Sequence, residues 1–369
     1  MKTIKSVLFI TYNFPPDVGG IETRISRYIE YLGKRGILVT VIFLSARKLK
    51  FERYNLGTAL ILISPGGVSH FVENFRTLIR LKVSRKVDVI HVFTGATTLF
   101  SIASLQLAKL LKIRSVISFF GTEGIVFGST KEQATFDFSA SLARTIATNT
   151  SAMKSLVPRQ FQGKTRLLYG GSDTPPLGRA NHGEETIPKV LYVGRLVKSK
   201  GVDDLLRSFA VVNRKIPDSR LVIVGSGPEK EALMNECSKL GLTNQVEFKG
   251  SLYGRELHSE YENCSIFVLP SKKIAVDTAT EALGLVLIEA AMHGKPLVGT
   301  RIGGIPEIVK DGVNGILVPQ ADIEKLAQAI LTLLSDNQLR KKMGRNSLEM
   351  AKSQYTWEAA TERLLKCYE

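Results

Sequence analysis

Cysteine is nearly absent from this 369-residue chain: Cys237, Cys264 and Cys367 stand far apart. That spacing excludes a disulfide framework and zinc-finger patterns, and it fits a reducing, cytoplasmic setting. No apolar run reaches the roughly 20 residues that a membrane-spanning helix needs. The opening piece Ser6-Val7-Leu8-Phe9-Ile10-Thr11-Tyr12 is short and no clear cleavage site follows it, so it reads as a first strand rather than a signal peptide. Two phosphate-binding fingerprints are missing, G-x-G-x-x-G and G-x-x-x-x-G-K-[S/T]. There is no Asp-x-Asp pair, so no divalent ion or other cofactor is expected to be required. Interleaved aromatics of the RNA-binding kind are also lacking, so nucleic acid is not an expected partner. Acidic residues are scarce in one half only. Residues 1–180 hold 25 Lys and Arg against 10 Asp and Glu, whereas residues 181–369 hold 25 against 24. Such a one-sided field points the first half toward an anionic partner.

What is present fits a folded protein of two domains: 44% hydrophobic and 23% charged residues over a length that exceeds one ordinary core. Short β-branched runs alternate with longer helical patterns, which predicts α/β architecture built from βαβ units. In the first half the runs are the opening strand, Leu38 to Leu44, Ala59 to Ile63, Val87 to Val92 and Ser115 to Phe120, with residues 45–59 a basic loop between two of them. A helix is expected from about Ile21 to Leu32, ended by Gly36. Residues 71–86 carry Phe71, Val72, Phe75, Leu78, Ile79 and Val83 at helical spacing with Arg76, Arg80, Lys82, Arg85 and Lys86 between them. That pattern suits either an amphipathic helix packed on the sheet or a helix lying on an anionic lipid surface.

The breaker-rich stretch from Gly170 to Pro188 reads as the interdomain connection, with 175–186 as the linker. The second half restarts with strands at Lys189 to Val193, Arg220 to Val224, Val246 to Phe248 and Ile266 to Leu269, each running into a glycine or proline turn. The chain is thus expected to form one domain over 1–174 and a second over 187–351. The tail from Asp322 is helical in pattern, and Trp357 is its one large anchor. In open α/β sheets ligands gather at the carboxyl ends of strands, and two such domains imply a cleft.

Several residues at those strand ends have the chemistry of a phosphate and sugar site. Arg195 follows a strand and Lys200 lies five residues on, a fixed fork and a mobile charge suited to a diphosphate. Gly19 and Gly20, and likewise Gly225 and Gly227, permit close backbone approach to a ligand. Gly303-Gly304-Ile305-Pro306-Glu307 places two flexible residues before a helix start. Glu281 and Glu289 flank an apolar run, Glu281 in a loop and Glu289 on the helix that follows. A carboxylate near a helix start is stabilised by free N–H donors and could fix a hydroxyl; equally, Glu281 could be only a helix cap and Glu289 a solvated side chain. His91, at a strand end, suits a structural role as well as a catalytic one, and His293 belongs to a helix end.

Taken in order, these pieces resemble the retaining glycosyltransferases of family 4, which adopt the GT-B arrangement. The likeness runs through Gly19-Gly20-Ile21-Glu22, Val193-Gly194-Arg195-Leu196 with Lys200-Gly201, and Val224-Gly225-Ser226-Gly227-Pro228. It continues through Phe248-Lys249-Gly250, Leu269-Pro270-Ser271, the Glu281 and Glu289 pair, Gly303 to Glu307, and Asp311-Gly312 with Asn314-Gly315. The resemblance implies two Rossmann-like domains facing a central cleft, with the C-terminal helix of about 352–369 crossing back to the first. It implies transfer of a sugar from a UDP- or GDP-linked donor to an acceptor hydroxyl. Arg195, Lys200 and Glu281 would act at the diphosphate and transferred sugar. Glu289 would meet the ribose, Gly284, Leu285 and Val286 would line the sugar and phosphate, and Gly19 and Gly20 would close over the phosphates. One departure stands out: Phe120 occupies a position where the family often has histidine, and phenylalanine cannot donate or accept a proton. Leu283 is a milder one, where phenylalanine is usual. The basic first domain would then take the acceptor, a membrane lipid or lipid-linked saccharide, with the protein peripheral at the inner face of the cell membrane. An epimerase or phosphorylase on the same architecture is the alternative enzyme, and a non-catalytic sugar-nucleotide-binding protein is the alternative of another class.

Overall fold

The computed structural model describes residues 3–12, 14, 20–45, 52–57, 59–65, 76, 79–80, 86–93, 99–120, 129–173, 187–274 and 281–369. The chain divides into two compact units, Met1–Gly171 with Trp357–Glu369, and Ser172–Thr356. The segment that returns to the first unit starts at Trp357, a few residues later than the resemblance suggests. The linker 175–186, Gly19 and most of 71–86 fall outside the described residues.

The first unit is built on eight strands among the described residues: β1 Ser6–Thr11, β2 Leu38–Ser45, β3 Glu52–Leu56, β4 Ala59–Pro65, β5 Val89–Phe93, β6 Arg114–Phe119, β7 Thr145–Thr148 and β8 Thr165–Leu167. They lie in the order β3-β4-β2-β1-β5-β6-β7-β8. All neighbours are parallel except β3, which pairs antiparallel with β4 at the edge. The central strands β1 and β5 are buried along their whole length because both faces are covered. Val7 and Phe9 of β1 join one core with Ile25, Tyr28 and Leu32 of the helix Gly20–Lys34. Leu8 and Ile10 join the opposite core with Phe100 and Leu105 of Leu99–Leu110 and Phe136 of Thr130–Leu142.

Strand β3 corrects the expectation of a basic loop over 45–59. Glu52, Arg53 and Asn55 give it no apolar alternation, and only an edge position tolerates such a strand. Strands β7 and β8 also escaped the pattern, being three or four residues long and begun by threonines.

The helix Trp357–Cys367 belongs to this first unit. Trp357 is 2% exposed and meets Tyr28 edge to face, with ring centroids 6.1 Å apart. His91 lies in β5 with no exposure, its ring nitrogens 2.9 Å from the Tyr368 hydroxyl and 2.6 Å from the Ser118 hydroxyl. Burial drives its pKa well below the ordinary value. His91 is therefore a neutral structural residue that ties β5 to β6 and to the chain's end.

The second unit has six parallel strands, β9 Lys189–Val193, β10 Arg220–Val224, β11 Val246–Gly250, β12 Ile266–Leu269, β13 Leu297–Thr300 and β14 Gly315–Val318. Their order is β11-β10-β9-β12-β13-β14. The chain winds outward from β9 to β11, then returns to β9's other side as β12. The switch point therefore lies between the carboxyl ends of β9 and β12, where open α/β sheets hold their ligands.

Replacing Trp357 with alanine should lower the stability of the first unit by about 3–5 kcal/mol, the usual range for a buried large aromatic. Urea unfolding followed by circular dichroism measures this as a lower midpoint. A shift below about 1 kcal/mol would mean the returning helix contributes little to that core.

Candidate active site

The loops after β9, β12 and β13 converge on Glu281. After β9 the chain makes a short turn at Lys198–Lys200, and Lys200 Nζ lies 2.6 Å from Glu281 Oε2. After β12, Ser271 donates its hydroxyl to the same oxygen at 2.6 Å. After β13, the Gly304 N–H donates to the Glu281 carbonyl at 3.0 Å. Gly303 has φ +53°, and a Cβ there would stand 1.9 Å from the Glu281 carbonyl oxygen, so only glycine allows this approach. The β9 and β12 loops are themselves joined, the Lys272 N–H donating to Ser199 O at 2.9 Å.

The Glu281 side chain is 8% exposed and that of Lys200 is 20% exposed. Burial alone would raise the Glu281 carboxyl. Lys200, the Ser271 hydroxyl and the charge of Arg195 outweigh it and hold the group below the usual carboxylate range. Arg195 itself is exposed. The structure thus brings Arg195, Lys200 and Glu281 together at the switch point of one sheet.

Gly284 begins the next element with φ +70°, and the helix Leu285–Met292 follows. Its first residues, Leu285 and Val286, have no intrahelical acceptor for their N–H groups, as at any helix start. Glu289 lies on this helix, where its Oε2 accepts from the Tyr261 hydroxyl at 2.7 Å. Burial lifts the Glu289 carboxyl above the ordinary range, and the Tyr261 bond offsets only part of that. His293, just past the helix end, faces the Glu289 carbonyl through Nδ1 at 2.8 Å and His258 through Nε2 at 3.1 Å.

Gly225 and Gly227 have a role that spacing did not disclose. A Cβ at Gly225 would meet Gly194 O at 1.8 Å, and one at Gly227 would meet Leu196 O at 2.3 Å. The two glycines let the loop after β10 lie main chain against main chain with the loop that carries Arg195. That contact is closed by Leu196 N–H donating to Ser226 O at 2.8 Å. Ser271 and Tyr261 were missed as members of the site. Ser271 had a usable signal, a hydroxyl directly after a strand; Tyr261 sits inside a helix and had none.

In the first unit, Gly20 opens the helix Gly20–Lys34. Phe120 is buried directly after β6; its carbonyl accepts from Asn149 Nδ2 at 3.0 Å, and the Arg24 guanidinium stands 4.1 Å from its ring centre. Residues 121–123 fall outside the described set.

Two parallel α/β units, one with a cation–carboxylate cluster at its switch point, define the architecture of a GT-B glycosyltransferase. Residues 18–175 match the model of Glycosyltransferase Family 4, and residues 178–350 match that of Glycosyl transferases group 1. The chain belongs to the family 4 glycosyltransferases. A GDP-mannose-dependent alpha-(1-6)-phosphatidylinositol monomannoside mannosyltransferase of Mycolicibacterium smegmatis is 33% identical over 186 residues, covering 50% of this chain and 49% of that protein. The match therefore spans about half of that relative's length. The sulfoquinovosyl transferase SQD2 of Arabidopsis thaliana is 27% identical, covering 94% of this chain and 70% of that protein. Among solved structures, Anabaena Alr3699/HepE in complex with UDP-glucose superposes with a TM-score of 0.75 at 17% identity, covering 98% of both chains.

The Lys200–Glu281 pair sets a pH signature. A carboxylate whose folded pKa is depressed stabilises the native state above its unfolded pKa, and that contribution is lost as pH falls through the folded value. Lys200→Met should therefore destabilise the second unit by about 2 kcal/mol at pH 7, less than a fully buried pair because Lys200 keeps some solvent contact. The penalty should shrink toward about pH 4 as the unpaired carboxyl protonates. Denaturant titrations at both pH values test this, and a penalty independent of pH would remove the coupling.

Proposed function

We propose that this protein transfers a sugar, with retention at the anomeric carbon, from a nucleoside-diphosphate donor held by the second unit to an acceptor hydroxyl presented by the first. The observation that carries the reading is the convergence of Lys200, Ser271 and the charge of Arg195 on the Glu281 carboxylate at the β9–β12 switch point. Arg195 is the exposed cation free to meet a diphosphate. Lys200, held by a carboxylate, can share its three donors between Glu281 and a phosphate oxygen. Glu281, ionised and fixed, would orient the sugar, and the N–H groups of Gly284, Leu285 and Val286 would bind the phosphates at the helix start. Glu289, held by Tyr261, presents its other oxygen to a ribose hydroxyl, and Gly19 and Gly20 of the first unit would cover the phosphates.

In this mechanism the anomeric C–O bond to the diphosphate breaks as the acceptor oxygen attaches on the same face. The acceptor's proton passes to the departing phosphate oxygen. Cationic side chains that stabilise the charge growing on the diphosphate act in the transition state, and so raise the rate rather than merely tighten binding. Both a GDP-linked and a UDP-linked donor appear among the related proteins, so either base is compatible with the reading. A membrane lipid or lipid-linked saccharide fits the basic first unit as acceptor, with the protein peripheral on an anionic membrane. Among the described residues no helix is long and apolar enough to cross a membrane. Phe120 favours a second reading, sugar-nucleotide binding without transfer, because no proton can be exchanged at that side chain.

Thermal shift with UDP, GDP and their sugars would identify the donor, since a ligand of the native state raises its stability. With that donor, Arg195→Ala should reduce turnover by roughly 10²-fold or more, the scale for losing one transition-state charge contact. Its melting temperature should stay put, the residue being exposed. Glu281→Gln should impair turnover as well. Near-normal turnover in both variants would overturn the assignment, and donor binding without transfer or hydrolysis would establish the second reading.

A further inference from the structure

Part of the positive excess of the first half gathers at one place among the described residues. Arg114 is the first residue of β6, Arg144 directly precedes β7, Lys164 directly precedes β8, and Arg166 lies within β8. These parallel strands bring all four cations to the amino-terminal edge of the sheet, opposite the carboxyl-terminal edge where α/β sheets hold their usual ligands. The helix Trp357–Cys367 adds Arg363 and Lys366. Between them lies a cavity of about 540 Å³ lined by Arg144, Lys164, Arg166, Arg363, Lys366 and Glu369, among others. Beside it, a smaller depression of about 340 Å³ shares Arg144 and adds Lys109, Lys112 and Arg114.

Among the described residues, none of the five cations around the larger cavity meets an Asp or Glu side chain within ion-pair distance. Elsewhere Lys200, Lys249 and Lys272 all do. Four of the five are nonetheless held in place by main-chain oxygens or an aromatic ring. Arg144 donates to Glu369 O at 2.8 Å, Arg166 to Gly163 O at 2.8 Å, and Lys164 to Ala140 O and Ala143 O at 2.6 and 2.7 Å. Arg363 stacks at 5.4 Å on Tyr169, and its Nη1 is buried with no hydrogen-bond partner. The carbonyl oxygens of Gly163, Ala140 and Ala143 fix Arg166 and Lys164 without neutralising them, and Glu369, the one acid lining the cavity, offsets only part of the charge of five cations. Like charges so arranged repel, and a bound anion relieves that repulsion. Several guanidinium forks around one hollow match the tetrahedral, multiply charged oxygens of a phosphate better than a single carboxylate. The hollow is the size of a small-molecule site, too confined for a duplex.

We propose that this cavity in the first unit is a binding site for a phosphate group, apart from the donor residues of the second unit. The group is either free, as inorganic phosphate or pyrophosphate, or carried on the headgroup of an anionic phospholipid.

The test uses the full chain and two probes: pyrophosphate by calorimetry, and flotation with phosphatidylcholine vesicles with and without phosphatidylglycerol. Arg166→Gln with Lys366→Gln removes two exposed cavity cations, and Lys131→Gln with Arg159→Gln removes two exposed cations of the same unit outside it. Thermal melts confirm that both double variants fold. A free-phosphate site predicts that the cavity variant weakens pyrophosphate binding about tenfold or more, as expected for losing charge-assisted hydrogen bonds, and that the control does not. A headgroup site predicts the same contrast in recovery with phosphatidylglycerol vesicles only. If the two variants behave alike with both probes, the proposal is overturned. Binding is the readout throughout, so this result is independent of whether the protein transfers sugar.

Discussion

A buried carboxylate facing a lysine holds the second unit's ligand edge together. Glu281 comes from the segment before a helix, Lys200 from the turn after β9 and Ser271 from the end of β12, while the Glu281 main chain is gripped by Gly304. Three crossover connections thus end on one residue. The arrangement is stable only with its charges matched, because a carboxylate left alone at 8% exposure would be strongly disfavoured. The same matching keeps it ionised and aimed, which is what a group meant to orient a sugar hydroxyl requires. Structural and chemical demands coincide here, and separating them calls for measurements that respond to charge rather than to folding alone.

Around that pair the unit is assembled by main chains in direct contact. Gly225 and Gly227 abut the carbonyls of Gly194 and Leu196, and Gly303 abuts that of Glu281. Side chains there would push the loops apart by ångströms, and Arg195 would leave the position from which its charge reaches Glu281. The glycines therefore act one step before any ligand: they set the spacing of the loops, and the loops set the spacing of the cations. This also explains how glycine pairs with no recognised phosphate fingerprint still mark the edge where phosphate chemistry is proposed.

The architecture could be read from the chain because parallel strands buried on both faces leave an unmistakable trace. Ser6 to Thr11, Leu38 to Leu44 and Arg220 to Val224 are short apolar runs that end in turns. Strands β3 and β8 were not readable because they lie at the sheet's edges, and β7 because its four residues, threonines at both ends, are largely buried but leave no apolar run. Glu281 and Glu289 could be picked out because carboxylates beside apolar runs need a reason. Their partners could not: Ser271 and Tyr261 lie 10 and 28 residues away along the chain and are brought near only by the parallel winding. His91 shows the converse. A histidine at a strand end looked equally fit for catalysis and for structure, and only the Tyr368 hydroxyl, contributed by the far end of the chain, decides for structure.

Charge counting has the same limit. A surplus of lysine and arginine in residues 1–180 says that an anion is wanted but not where. Resolved onto the fold, the cations around the cavity are held differently from the paired lysines of the second unit. In the second unit Lys200, Lys249 and Lys272 are bound to carboxylates, so their charge is spent internally. In the first, Arg27, Lys34 and Arg35 are likewise paired with glutamates, but Lys164 and Arg166 rest on carbonyl oxygens, which fix position but cancel nothing. A surplus spread over a surface would serve solubility and fall off within a Debye length. One held rigidly around a hollow is organised for a ligand, because the entropy of placing the side chains has already been lost in folding. The composition of the first half thus becomes a statement about binding only once the sheet's parallel order has carried residues from three separate strands to one edge.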